Sequence, residues 1–208
     1  SDFSDNIVVI AFYPGAFMWP EEMRWSDSPI LTLIGEDAAA QNTLGWYRIG
    51  DDGEILDAEI VWADASFDHV REGTLPAADL GELPAGTNVG FFLIAEGYSL
   101  YPRLMERIHR GALEFRTHDG EQATIYDRTP TLVAIAPNGR ERVIEAEIFH
   151  QVVREGAPVA IRNLNSDTHV HARSGLMNDG ETVMVGFEDL HNGGDQDFDD
   201  IVFSVDFH

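Results

Sequence analysis

Apolar residues recur along the chain in short runs rich in Val, Ile, Phe and Trp, separated by Gly, Asp, Asn and Pro. That rhythm belongs to strands joined by turns rather than to long amphipathic helices. The runs predict strands at residues 6–13, Thr43–Ile49, 59–62, 87–95, 114–115, 131–136, 143–150, 159–164, 182–188 and 200–207. In the last of these Ile201, Phe203, Val205 and Phe207 alternate with Val202, Ser204 and Asp206, the period-two pattern of a half-buried strand. Asp51-Asp52-Gly53 and Pro137-Asn138-Gly139 carry turn chemistry suited to tight hairpins, so the runs on either side of each are expected to be antiparallel neighbours. Two segments read as helical. Residues 101–110 place Pro102 in a first turn and Gly111 at the stop, with Leu104 and Ile108 facing the core. Around residues 19–25, Pro20 followed by Glu21 and Glu22 suits a shorter helical start. No repeat or low-complexity tract divides the chain. The predicted architecture is all-β: one β-sandwich over residues 1–208, with the jelly roll as one candidate type and one or two short helices attached.

Charge narrows the partners. Thirteen Lys and Arg against 37 Asp and Glu leave a net charge of −24. Such a surface repels nucleic acid and anionic membranes and attracts cations, although acidity also serves solubility alone. There is no cysteine, which removes disulfides, thiolate metal sites and a cysteine nucleophile. Hard cations held by oxygen remain available as staples. No run approaches the ~18 apolar residues of a membrane-spanning helix, and no basic-then-apolar leader opens the chain. We therefore expect no membrane insertion, and a module excised from a larger extracellular protein.

The chemistry concentrates in Gly186-Phe187-Glu188-Asp189-Leu190-His191-Asn192-Gly193-Gly194-Asp195-Gln196-Asp197-Phe198-Asp199-Asp200-Ile201. Six carboxylates fall within thirteen residues, and no Lys or Arg lies among them. Unneutralised carboxylates this close repel one another, and a divalent cation removes the repulsion. Calcium takes six to eight oxygen ligands in tolerant geometry, so Glu188, Asp189, Asp195, Asp197 and Asp200 are the expected metal ligands. The segment is not an EF-hand, since strand-like residues follow where that motif requires a helix. A generic acidic loop is more often a solvated face; the paired glycines between two strong strand patterns argue for the cage.

This acidic string resembles the signature of a calcium-binding domain of unknown function found toward the C-terminal side of bacterial RTX adhesins. The usual form has Asn where this chain has Asp199. Weaker pieces of the resemblance are Asn42-Thr43-Leu44-Gly45-Trp46-Tyr47, Val89-Gly90-Phe91-Phe92-Leu93-Ile94, and Leu164-Asn165-Ser166-Asp167 followed by His171. The resemblance implies calcium as cofactor, a bacterial cell-surface location, and capture of a peptide or glycan on a host or partner cell, including peptides held by a free C-terminal carboxylate. It places Asn165, Asp167 and His171 near the acidic turn, where they are expected to line a ligand pocket.

Other constellations carry less. His169 and His171 are two apart, but no helical His-Glu motif accompanies them, and local hydrogen bonding outweighs zinc ligation. No Gly-x-Ser-x-Gly elbow is present. A carboxylate pair can hydrolyse glycosides, but here the carboxylates are better explained as cation ligands. Trp19, Trp25, Trp46 and Trp62 are candidates for sugar stacking, with core packing the commoner role of strand aromatics. Asp51, Asp52, Glu54 and Asp57 form a second acidic turn, either a weak cation site or only a hairpin tip. The expected function is therefore a monomeric, non-enzymatic, calcium-dependent ligand-binding module, with a purely structural calcium-stiffened domain and a calcium-dependent glycan binder as the alternatives.

Overall fold

The computed structural model of the chain describes residues 17–18, 28–36, 38, 40–65, 75–84, 86–108, 112–153, 157–177 and 182–207. The strand expected at residues 6–13 and the helical turn expected at 19–25 lie outside these residues.

Thirteen strands and three short helices are described, in the order β1 (Phe17–Met18), β2 (Pro29–Gly35), β3 (Thr43–Ile49), β4 (Ile55–Trp62), β5 (Ala77–Asp79), β6 (Asn88–Ile94), α1 (Gly97–Leu100), α2 (Pro102–Met105), β7 (Leu113–Arg116), β8 (Thr131–Ile135), β9 (Glu141–Val143), β10 (Ile148–His150), α3 (Val159–Arg162), β11 (Ala172–Leu176), β12 (Thr182–Phe187) and β13 (Ile201–Phe207). They form two antiparallel sheets, so the all-β sandwich expected from the strand rhythm is what the chain adopts. The larger sheet runs β1-β6-β3-β4-β7-β8-β9, and β10 shares with β1 the edge of β6 that β3 leaves open. The smaller sheet runs β11-β12-β13-β2-β5.

The hydrophobic pattern explains the layering. On β6, Val89, Phe91 and Leu93 face a core shared with Leu31 and Leu33 of β2, Val183, Val185 and Phe187 of β12, and Ile201, Phe203 and Val205 of β13. Phe92 and Ile94, on the opposite face of β6, enter a second core with Tyr47, Phe115, Leu132 and Ala134. A strand buried on both faces reads as a continuous apolar run rather than an alternating one, as 89–94 does. Phe92 and Phe115 sit with ring centroids 5.1 Å apart although β3 and β4 lie between their strands. The larger sheet must therefore fold over on itself to enclose the second core. Gly45, opposite Phe92 in the ladder, leaves the space that this ring occupies; a Cβ there would collide with it and with the Glu59 carbonyl.

Three expectations need correction. Residues 159–164 are not a strand. Ile161 N and Arg162 N both donate to the Pro158 carbonyl and Leu164 N donates to Ile161 O, giving a helical turn that buries Ile161 and Leu164 and leaves Val159 exposed. The run 143–150 is not one strand: β9 ends at Val143 on β8, and β10 begins at Ile148 on β6. The helix expected over 101–110 is short, with α1 preceding α2; within it Met105 is buried, and Leu104 and Ile108 pack partly buried against the second core. Both turn signals do close hairpins. Gly53 and Gly139 adopt positive φ between β3 and β4 and between β8 and β9.

Candidate metal centre

The acidic segment is the connection between β12 and β13, at the end of the smaller sheet where Phe187 pairs with Ile201. The ladder to β11 extends one step past β12, since Glu188 N donates to His171 O at 2.8 Å. Asn42 precedes β3 at the same end, next to Glu96 just beyond β6. The turn itself contains left-handed Asn192, Gly193, Gly194, Gln196 and Phe198. These positive-φ residues, consecutive from Asn192 to Gly194 and alternate thereafter, fold the segment back and bring Asp195 and Asp197 toward Glu188.

The five expected ligands come together as two overlapping groups. Glu188, Asp195 and Asp197 offer oxygens within 4.8 Å of one another, and so do Glu188, Asp189 and Asp200. Two ligands on opposite sides of a calcium ion stand up to about 5 Å apart, so each group can be spanned by one ion, with Glu188 common to both. The groups differ in exposure. Glu188 and Asp189 are buried and Asp200 is half-buried, whereas Asp195 and Asp197 are exposed. The first triad therefore faces solvent and the second lies beneath it.

Electrostatics shows the repulsion. Burial, together with Asp200 beside it, pushes the Glu188 carboxyl up to about 8. Asp200 is likewise raised, by burial first, although it accepts a hydrogen bond from Asp189 N at 2.8 Å. The chain contains no lysine, and among the described residues no arginine forms an ion pair with any of the five. Neutral groups support them, among them Gln196 N to Glu188 Oε2 at 3.1 Å and Asn42 Nδ2 to Asp189 Oδ2 at 2.7 Å. Buried carboxylates lacking a basic partner must take up protons or hold a cation.

Gly194 is part of the cage. Its backbone, at φ 41° and ψ −131°, lies in a region that only glycine adopts readily. A Cβ there would fall onto the Glu188 carboxylate. Phe198 anchors the far side of the turn, buried beneath the guanidinium of Arg173, whose central carbon lies 4.4 Å from the ring centroid.

Asn165, Asp167 and His171 do lie next to this turn, but beneath it. Asn165 and His171 are buried and the Asp167 side chain is 1% exposed. Asn165 Oδ1 accepts from His150 N, and its Nδ2 donates to His169 O. Asp167 Oδ2 meets His171 Nε2 at 2.8 Å and accepts from Asn192 N at 2.7 Å. Burial alone would raise the Asp167 carboxyl, yet the donors from His169, His171 and Asn192 hold it below its ordinary value. His171 stacks on Phe149 at 3.6 Å and contacts the Glu188 carbonyl through Nδ1. The three side chains thus brace the acidic turn against β10 and β11 instead of lining an open pocket. His169 bonds Asp167 O within its own loop. His191 and Glu147 add an exposed pair at 2.7 Å across the turn.

The remaining candidates separate. Trp46 is buried and Trp62 packs partly buried on the core; Trp19 and Trp25 lie outside the described residues. The second acidic turn is a hairpin tip in which Asp57 pairs with Arg48 and Glu54 accepts from Asp52 N. Asn42, named only as part of a weak similarity, proves to be a direct partner of the cage. Its signal in the sequence was absent, because it lies 147 positions from Asp189.

Fold and site together define an all-β sandwich with a carboxylate cage between two strands of its smaller sheet. Residues 132–208 match the model of a domain of unknown function (DUF4114), a stretch holding the whole acidic turn and its bracing loop. No curated protein and no solved structure matches the chain.

Proposed function

We propose that this chain is a calcium-dependent ligand-binding module of a bacterial surface adhesin of the RTX type. In this reading, an anionic group of a partner-cell ligand completes the coordination of an outer calcium ion. The observation that carries it is the sharing of Glu188 between a buried triad and an exposed one. An ion in the buried triad would stiffen the turn. An ion held by Glu188, Asp195 and Asp197 receives three side chains from the protein, while calcium takes six to eight oxygens, so positions remain for a ligand.

A surface at −24 repels anions; a bound divalent ion reverses the field locally. A peptide C-terminal carboxylate fits such a site, and a glycan with vicinal hydroxyls is the alternative ligand. In this reading the module works outside the cell, and binding rather than catalysis is the activity inferred. The burial of Asn165 and His171 favours one competing reading, in which the turn is only a structural staple.

The test is calorimetry with short peptides bearing free or amidated C-termini, in calcium and in chelator, at a temperature where the domain stays folded. The proposal expects binding of the free form in calcium and at least a tenfold loss on amidation. Equal binding of both forms, or binding that persists in chelator, removes the calcium bridge. No binding of peptide or glycan, with calcium still taken up, leaves the staple.

A further inference from the structure

We propose that Asn42 positions Asp189 for the inner cation and ties the state of that cage to the turn at residues 96–100, an inference that rests on the reading of the site just given. Asn42 lies directly before β3, is 1% exposed, and spends both ends of its amide. Nδ2 donates to Asp189 Oδ2 at 2.7 Å, and Oδ1 accepts from Glu96 N at 2.9 Å. Its backbone carbonyl accepts from Ala65 N at 2.9 Å. The flanking residues reinforce the junction. The Gln41 carbonyl accepts from Tyr98 N at 3.1 Å, and Thr43 Oγ1 donates to Ala63 O at 2.6 Å.

The amide chemistry is specific to this place. A carboxylate at position 42 would oppose Asp189, and an alkyl group would leave the buried Asp189 Oδ2 and the partly buried Glu96 N without this partner. By holding Oδ2, the amide fixes the orientation of the Asp189 carboxylate within the inner group. Partners of metal ligands act in this way generally, and their loss costs 10- to 100-fold in metal affinity. On the other side of the amide, Glu96 holds a left-handed backbone at φ 54°. This is a strained state for a non-glycine residue, and it needs outside support. The Asn42 bond to its N–H supplies part of that support, beside the Leu100 N–H that donates to its carbonyl at 2.8 Å. The turn it fixes carries Ser99 and the half-exposed Leu100 on the surface. Ordering Asp189 with a cation thus orders Asn42, and through it this stretch of surface; by reciprocity, whatever stabilises the turn tightens the cation.

Calcium titrations of the wild type, Asn42→Ala, Asp189→Asn and the double variant separate positioning from simple stabilisation. The expected result is a 10- to 100-fold loss of affinity in Asn42→Ala, with no further loss when it is added to Asp189→Asn. A lowered melting temperature in chelator with an unchanged calcium titration would show a structural residue only, and would overturn the proposal. If the wild type takes up no calcium, the reading of the whole site falls, and this inference with it. Should Asn42→Ala not fold, Asn42→Ser serves the same comparison. Amide hydrogen exchange of the wild type needs no variant: Glu96, Tyr98 and Ser99 are expected to exchange at least threefold more slowly in calcium, and equal rates would refute the coupling.

Discussion

Gly194 decides how closely the acidic turn can close over Glu188. Any side chain there meets the carboxylate that both triads share, in a backbone region costing about 1–3 kcal/mol for other residues. Gly194→Ala is therefore expected to lower calcium affinity at least tenfold, and to lower stability even in chelator by about 1–3 kcal/mol. Titration calorimetry and thermal unfolding of the variant check both effects; unchanged affinity would place Glu188 outside the cage. The ligand set was legible at this scale because carboxylates crowded without basic partners have few outcomes. The neighbours of the set were not. Asn165, Asp167 and His171 are polar residues in a loop, and composition does not reveal that they face inward until their hydrogen bonds to His150 N, His169, Asn192 N and Glu188 O are seen.

Among the elements, β3, β6, β12 and β13 were legible because each carries enough apolar residues to declare its burial. The strands that the pattern does not mark are β1, β2, β5 and β11. Of these, β1, β5 and β11 are edge strands; β11 includes Arg173, Ser174 and Gly175, residues that packing does not dictate. Residues 159–164 misled because a short β-branched run has no decisive period; Pro158 ahead of it and the i, i+3 burial of Ile161 and Leu164 mark the helix. The strand β10 brings a further consequence. His150 is enclosed by Tyr47, Phe92 and Phe115 and shares a hydrogen bond with the Tyr47 hydroxyl. Burial lowers its pKa from 6.5 to about 3. The unfolded chain takes up this proton below about pH 6.5 while the folded chain does not, so the contribution is complete above that pH and is lost as pH falls toward about 3. For one group the slope is about 1.4 kcal/mol per pH unit. His150→Gln, compared with wild type in chelator, is expected to flatten the acid limb by that amount in denaturant unfolding between about pH 6 and 4. Parallel curves would mean that His150 is already charged in the fold.

Over the whole molecule, 37 acidic residues face 13 basic ones, all of them arginine. Self-repulsion at −24 opposes the compact state, and salt screens it. With chelator present, the melting temperature is therefore expected to rise steadily from roughly 0.05 to 1 M sodium chloride, a trend separable from calcium because Asp195→Asn/Asp197→Asn should preserve it. A flat or falling salt curve would show that the surface charge does not strain the fold. The central claim is that the turn between β12 and β13 holds calcium, and its most direct measurement is titration calorimetry of metal-stripped protein, paired with melting curves. The account predicts saturable calcium uptake and a higher melting temperature, since a ligand at a hundredfold excess over Kd adds about 2.7 kcal/mol. Both effects should weaken sharply in Asp195→Asn/Asp197→Asn. No uptake, with identical melting curves in calcium and chelator, would contradict it.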